Sequence, residues 1–399
     1  MFTKTQIDRY ADVLLWGLKI SRKGRIKKNE TVLIRYHHPA LVLAEALYDR
    51  LLDMGLNPLQ RLDPSPGMEK SFFKRSNARQ LVFKPPGDRE LYENLNGSIY
   101  LHAPESITHL GDIDPAKIGK FAVSRKYLRD ILTRRDEASQ FSWTLCTFPT
   151  RELARHAKLS QKAYCQQIIS ACFLNKTDPI AKWNQIFKDA GRLKRWLSRM
   201  DVKHYHVMSK HIDLEITPGQ QRRWIGVSGH NIPSFELFVS PDWRGTRGVY
   251  YADQPSFRSG NYVKGVRLEF QKGKVAGIRA EKGRDFVKKQ LSMDKGAGQI
   301  GEFSLTDKRF SKISRFMANT LFDENYGGAQ GNCHVALGSS YSDTFAGEAA
   351  KLTKTLKEKL GFNDSALHWD LVNTEKKQVV AHLNTGKRVT IYENGKFTY

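Results

Sequence analysis

Glu30-Thr-Val-Leu-Ile-Arg35, a helical run from Pro39 to Met54, and Asn57-Pro-Leu-Gln-Arg-Leu62 form the stretch that decides the fold. The outer pieces read as short strands. Between them Leu41, Ala44, Leu47, Tyr48 and Leu51 recur at helical spacing, and Gly55 stops the helix. Strand, helix, strand opens a βα unit, so a parallel sheet is predicted. The turn His37-His38-Pro39 lacks the GxGxxG that lets a backbone approach a pyrophosphate, so no nucleotide site is expected there. His37 and His38 read as loop residues.

Working outward, Ile7, Tyr10, Ala11, Leu14, Leu15 and Leu18 mark an amphipathic helix over Gln6 to Ile20. Gly97-Ser-Ile-Tyr-Leu-His-Ala and Phe141-Ser-Trp-Thr-Leu-Cys supply two more strands, separated by a helical region from Asp114 to Arg134 dense in Lys and Arg. That density reads as a solvated helix face rather than a nucleic-acid surface, because aromatic residues are only weakly interleaved with it. A further helical pattern from Gln161 to Trp196 breaks at Asp178-Pro179, with Trp183, Ile186, Phe187 and Leu193 as its apolar stripe. Near Arg199 the pattern changes to short runs parted by turns, such as His204-Tyr-His-Val-Met, Asp213-Leu-Glu-Ile and Trp224-Ile-Gly-Val. The expectation is an α/β first domain with a largely parallel sheet over 1–199, then a strand-rich α+β catalytic domain over 200–399. His204, His206 and His211 alternate with lysines and read as an exposed face rather than ligands.

The 399 residues, 40% hydrophobic and 11% aromatic, suffice for sizeable cores in two or three domains. A formal net charge of +24 attracts nucleic acid or other anions whatever the fold, and says nothing of chemistry. Cys146, Cys165, Cys172 and Cys333 form no CxxC pair, so neither a disulfide framework nor a thiolate zinc site is indicated. Lys4, Asp8, Arg9 and Asp12 interrupt the apolar core a signal peptide needs, and no run approaches a membrane span. A cytoplasmic protein without a membrane partner is expected.

Chemistry concentrates between Glu302 and Asp370, which hold Glu324, His334, Tyr341 and His368 between them. Carboxylates and imidazoles bind divalent metals. His334 follows the glycine-rich Tyr-Gly-Gly-Ala-Gln-Gly-Asn in an apolar run, and His368 and Asp370 sit two apart in Ala-Leu-His-Trp-Asp-Leu-Val. Residues two apart on a strand share a face, so that pair projects together. Upstream, Glu236 interrupts the apolar Phe-Glu-Leu-Phe-Val, where a carboxylate must be paired, protonated or metal-bound. Any one acid has a bland reading as a turn or ion-pair residue; together they exceed what one metal needs. Ser and Cys mechanisms fare worse, since no GxSxG occurs and Cys333 and His334 are strand neighbours facing opposite ways.

Asn231-Ile-Pro with Glu236, Ile300-Gly-Glu302, Leu321-Phe-Asp-Glu324-Asn, Cys333-His334-Val-Ala-Leu-Gly with Tyr341, and His368-Trp-Asp370 resemble the ordered motifs of the thermophilic metallo-aminopeptidases of the aminopeptidase T and aminopeptidase S type. Phe148-Pro-Thr, Ala171-Cys172 and Asp178-Pro-Ile-Ala-Lys-Trp183 extend the likeness over nearly the whole chain. The resemblance implies a homodimer that cleaves peptide substrates with a free amino terminus. It also implies two divalent metal ions per chain (zinc, cobalt, manganese or magnesium) held by Glu236, Glu302, Glu324, His334, His368 and Asp370. Glu302 would touch both ions and accept protons, and Tyr341 would be the catalytic tyrosine. The sequence departs from the family pattern at Ser234 and Phe235, in a longer loop from Glu324 to His334, and in a Lys-rich segment from Lys351 to Lys359. The rival reading is a catalytically inactive basic nucleic-acid-binding or scaffold protein on the same fold. Against it stands the retention of every acidic and imidazole position, since a decayed site has no need to keep costly acids in apolar strands; any nucleic-acid binding is expected to be weak and non-specific.

Overall fold

The first sheet of the computed structural model, which describes residues 2–399, contains β1 (Thr31–Tyr36), β2 (Asn57–Leu62), β3 (Gly97–His102) and β4 (Ser142–Thr147), all parallel. Parallel neighbours need crossovers, which helices Leu41–Asp53 and Pro115–Glu137 help to supply. The helix Lys4–Ile20 starts on a capping box between Thr3 and Gln6 and buries Tyr10, Leu14 and Leu18 completely. Each such Leu contributes roughly 1.5–3 kcal/mol. Its Gly17 lets the loop at Gly229 approach closely, since a Cβ there would lie 2.7 Å from the Gly229 carbonyl.

The second half opens with β5 (Val202–Ser209) and β6 (Asp213–Ile216). The chain then returns to the first sheet: β7 (Asn231–Ile232) pairs in parallel with β4. Next come β8 (Glu236–Val239), β9 (Arg247–Ala252), the hairpin β10 (Ser256–Arg258) and β11 (Asn261–Val263), β12 (Val266–Gln271) and β13 (Lys274–Arg279). The remaining strands are β14 (Ile300–Thr306), β15 (Asn332–Gly338), β16 (His368–Asn373), β17 (Lys377–Leu383), β18 (Arg388–Glu393) and β19 (Lys396–Phe397). They form an eight-stranded sheet, order β13-β12-β9-β6-β5-β17-β18-β19, and a four-stranded sheet, order β16-β15-β14-β8. Both are antiparallel. An α/β first half and a strand-rich second half are therefore both present.

Two expectations meet a different outcome. Phe187 is 40% exposed, its ring covered by the Lys194 ammonium, while Trp183, Ile186 and Leu193 are buried as the stripe predicts. The Pro115–Glu137 helix turns part of its charged face toward the second half rather than to solvent. Lys126 pairs with Asp364 at 2.9 Å, Glu137 pairs with Lys357 at 2.9 Å, and Arg129 donates to the carbonyls of Ser365 and Ala366. A polar face satisfied across a seam looks, in sequence, like one satisfied by water.

Candidate metal centre

Register in the four-stranded sheet decides which side chains meet. Opposed residues of antiparallel strands share a face, and Thr306 lies opposite Glu236, Ser304 opposite His334, Ala336 opposite both Glu302 and Asp370, and Gly338 opposite His368. Glu236, Glu302, His334, His368 and Asp370 thus project from one face, and the small residues Ser304, Ala336 and Gly338 leave room between them. A register irregularity between Ile300 and Glu302 re-aims the latter. It requires Gly301, where a Cβ would lie 2.4 Å from the Gly338 carbonyl. The opposite face, with Leu237, Phe303, Leu305, Cys333, Val335, Trp369 and Leu371, is core. Cys333 and His334 do face opposite ways.

Around His334 Nε2 stand Glu302 Oε1 at 3.1 Å, Glu236 Oε2 at 3.4 Å and Asp370 Oδ1 at 3.7 Å. His368 Nε2 lies 3.5 Å from Asp370 Oδ1 and 3.7 Å from Glu302 Oε2. Glu302 therefore has one oxygen toward each imidazole. The His368 Nδ1–H donates to the Ser339 carbonyl at 2.8 Å, which leaves Nε2 to face the acids. Glu324, buried beyond the short helix Thr320–Asp323, lies near the same acids and receives hydrogen bonds from Asn231 and Asn325. The longer loop after it is tied down: Gly331 N–H donates to Gly327, and the Asn332 amide donates to the Tyr326 carbonyl. At the departure Ser234-Phe235, the Phe235 N–H donates to Asn325 Oδ1. Tyr341 packs edge-on against His368 at 4.8 Å and near Phe238 at 5.6 Å.

The electrostatics describe a site short of positive charge. Burial, reinforced by Glu302 and Asp370 against the pull of His334, pushes the Glu236 carboxyl up to about 8. Burial and the neighbouring acids raise Glu324 well above the carboxylate range. Burial alone would depress His334, but its bond to Glu302 and the charges of Glu236 and Asp370 raise it to about 9. Burial acts against ionisation of Asp370 too, yet the two imidazoles and Arg258 hold it at about 2. Carboxylates this close relieve their repulsion by holding protons, as the raised Glu236, Glu324 and His334 do, or by holding a cation in their place. Ligand atoms of Glu236, Glu302 and His334 all lie within 4.8 Å of one another, and hard oxygens with imidazole nitrogen suit a divalent ion.

The face opens on a cavity of about 1380 Å³ that also reaches the strand ends of the first sheet and the Pro115–Glu137 helix. His204, His206 and His211 lie away from it and pair with Glu215, Asp213 and Glu375. His37 lines the far wall of the cavity rather than the carboxylate face: it accepts from the Ala103 N–H, its Nε2 lies 3.8 Å from Asp63 Oδ2, and its ring packs edge-on against His102 at 5.4 Å. Residues that sequence reasoning left without a role are Ser339, Asn325 and Arg258, which touch the ligands from behind and carry no pattern of their own.

A cleft walled by a sheet face of carboxylates and imidazoles marks the chain as one with a candidate metal site. The chain belongs to the thermophilic metalloprotease (M29) family, which it matches over residues 3–397. It is similar to Aminopeptidase 2 of Geobacillus stearothermophilus, 28% identical over 333 residues and 78% of each chain. Aminopeptidase AmpS of Bacillus subtilis (strain 168) is 28% identical over 249 residues, 59% of this chain and 58% of that relative. The solved structure of wild-type AmpT from Thermus thermophilus superposes with a TM-score of 0.78 at 19% identity, covering 100% of both chains, which establishes the shared fold. Among the described residues, no helix is long and apolar enough to cross a membrane.

Proposed function

We propose that the chain is a metal-dependent aminopeptidase that removes the amino-terminal residue from peptides, with residues 200–399 as its catalytic unit. Glu236, Glu302, Glu324, His334, His368 and Asp370 would hold two divalent ions, of which zinc, cobalt, manganese and magnesium all suit the donors. The observation that carries this reading is the convergence of five of these side chains on one sheet face at the wall of a cleft. Family membership and relatives named aminopeptidases support it. When bound, such ions lower the pKa of a water and polarise a carbonyl.

The chain's own residues supply the rest. Glu302, with one oxygen toward each imidazole, would help to hold both ions, and an oxygen left free of metal would accept the attacking water's proton. Burial and the acids hold the Tyr341 hydroxyl protonated, well above its ordinary range, so it donates a hydrogen bond to the developing oxyanion. The cavity suits a short peptide. We further assign a homodimer in the cytoplasm, with nucleic-acid binding weak and non-specific.

The test uses protein stripped of metal and then reloaded, assayed on one peptide with a free and with an acetylated amino terminus. Cleavage of the free peptide alone, lost on stripping and restored on loading, is expected, because acetylation removes the charge that anchors the substrate. Cleavage of the blocked peptide, or turnover that survives stripping, overturns the proposal.

A further inference from the structure

We infer that Arg258 is a positioning residue for the metal-ligating strand: it fixes the start of β16 from behind, so that His368 and Asp370 stay aimed at the ion. The inference rests on the metal-site reading above. β16 is an edge strand, paired only with β15 in its sheet, so its outer backbone groups lack a ladder partner. Arg258 supplies one: its Nη1 donates to the His368 carbonyl at 2.9 Å. Its guanidinium carbon also lies 5.4 Å from the ring centre of Trp369, the residue between the two ligands. The Trp369 indole N–H in turn donates to Ser256 Oγ at 3.0 Å, two residues before Arg258 on the same strand. Since the His368 ring is fixed by the Ser339 carbonyl, ring and backbone of this ligand are each held by a separate partner.

The hairpin that carries Arg258 is itself braced against the first half of the chain. Its turn runs through Ser259 and Gly260, both at positive φ, 47° and 73°. A Cβ at Gly260 would lie 2.4 Å from the Leu110 nitrogen, so this turn lies directly against Leu110. Phe257 sets its ring against His156 at 4.7 Å. Arg258 thus links the first half of the chain to the edge strand bearing two ligands. Its Nε is buried without a hydrogen-bond partner among the described residues, so the grip rests on the carbonyl bond and the indole face. A lysine keeps the charge but not the planar fork that does both.

Charge and position predict opposite signs. If Arg258 only offset the acids, removing its charge would tighten cation binding, and Arg258→Lys would behave as the parent. If it positions β16, Arg258→Met weakens binding and Arg258→Lys weakens it less. The experiment measures zinc affinity of the full chain by chelator competition, with melting of the stripped proteins alongside and kcat and KM of the loaded ones. Expected is a zinc Kd about 10- to 100-fold weaker in Arg258→Met, the usual effect of losing a partner behind a ligand, with stripped-protein melting nearly unchanged. A fall in kcat with little change in KM should accompany it. A folded Arg258→Met with parental or tighter Kd overturns the inference. If that variant fails to fold, Arg258→Lys decides: a weaker Kd supports positioning, a parental one overturns it. Parent protein that takes up no zinc sinks the metal reading and this inference together, whereas tight parental binding with unaffected variants sinks this inference alone.

Discussion

Replacing Tyr341 with Phe removes one hydroxyl and leaves the ring in place. The ring is held by His368 at 4.8 Å and Phe238 at 5.6 Å, and its backbone N–H by Ser240 Oγ at 2.8 Å, none of which involves the phenol oxygen. Among the described residues nothing accepts a hydrogen bond from that oxygen, so its loss strands no partner. Stability should therefore change by about 0.5 kcal/mol or less. The catalytic cost is larger. A donor to a developing oxyanion contributes about 2.7 to 4 kcal/mol, roughly 10² to 10³ in kcat. Tyr341 is a single neutral donor and only partly buried, which sets the expectation at the lower end, about 10². KM and metal content should stay near the parent's, since the interaction forms only in the transition state. Steady-state kinetics on a free-amine peptide, with metal analysis of the same samples, give the answer. Normal kcat refutes the assignment and leaves the metals alone to stabilise the oxyanion.

Glu302→Ala should lose metal and turnover together while keeping the fold, as judged by metal content and circular dichroism; full metal occupancy would contradict a bridging role. Zinc affinity should rise between about pH 6 and 9, because the metal-free site holds protons on Glu236 up to about 8 and on His334 up to about 9 that must leave for ligation. A pH-independent Kd across that window would contradict this. Both folded values exceed the ordinary ones, 4.5 and 6.5, so their stabilising contribution is full below those values and is lost as pH climbs through 8 and 9. Stripped protein should accordingly melt lower at pH 9 than at pH 6, with the difference reduced on loading. Gly226→Ala places a Cβ 2.0 Å from the Glu236 carbonyl oxygen at a φ of +131°, and should cost roughly 1 to 3 kcal/mol or more and impair metal uptake. Unchanged melting would show that β8 yields there.

Much of this was legible because strands alternate. His368 and Asp370, two apart, share a face, and an acid in the apolar run at Glu236 had to find compensation; both facts are local. The parallel first sheet was legible from its βα pattern for the same reason. What stayed hidden is long-range. β7 is two residues long, too short for any pattern, yet it ties the second half to the first sheet. Nothing in Ser256-Phe257-Arg258 says that its arginine reaches the carbonyl of His368, 110 residues away. The charged Pro115–Glu137 helix misled for a physical reason, since ion pairs across a seam and hydration by water select the same side chains.

The most direct test is anomalous diffraction from crystals of the zinc-loaded protein. Two peaks are expected on the shared sheet face, one ringed by Glu236, Glu302 and His334 and one on the side of His368 and Asp370, with Glu302 between them. Crystals of peptide-cleaving protein in which this face carries no metal, or in which zinc sits elsewhere, would contradict it.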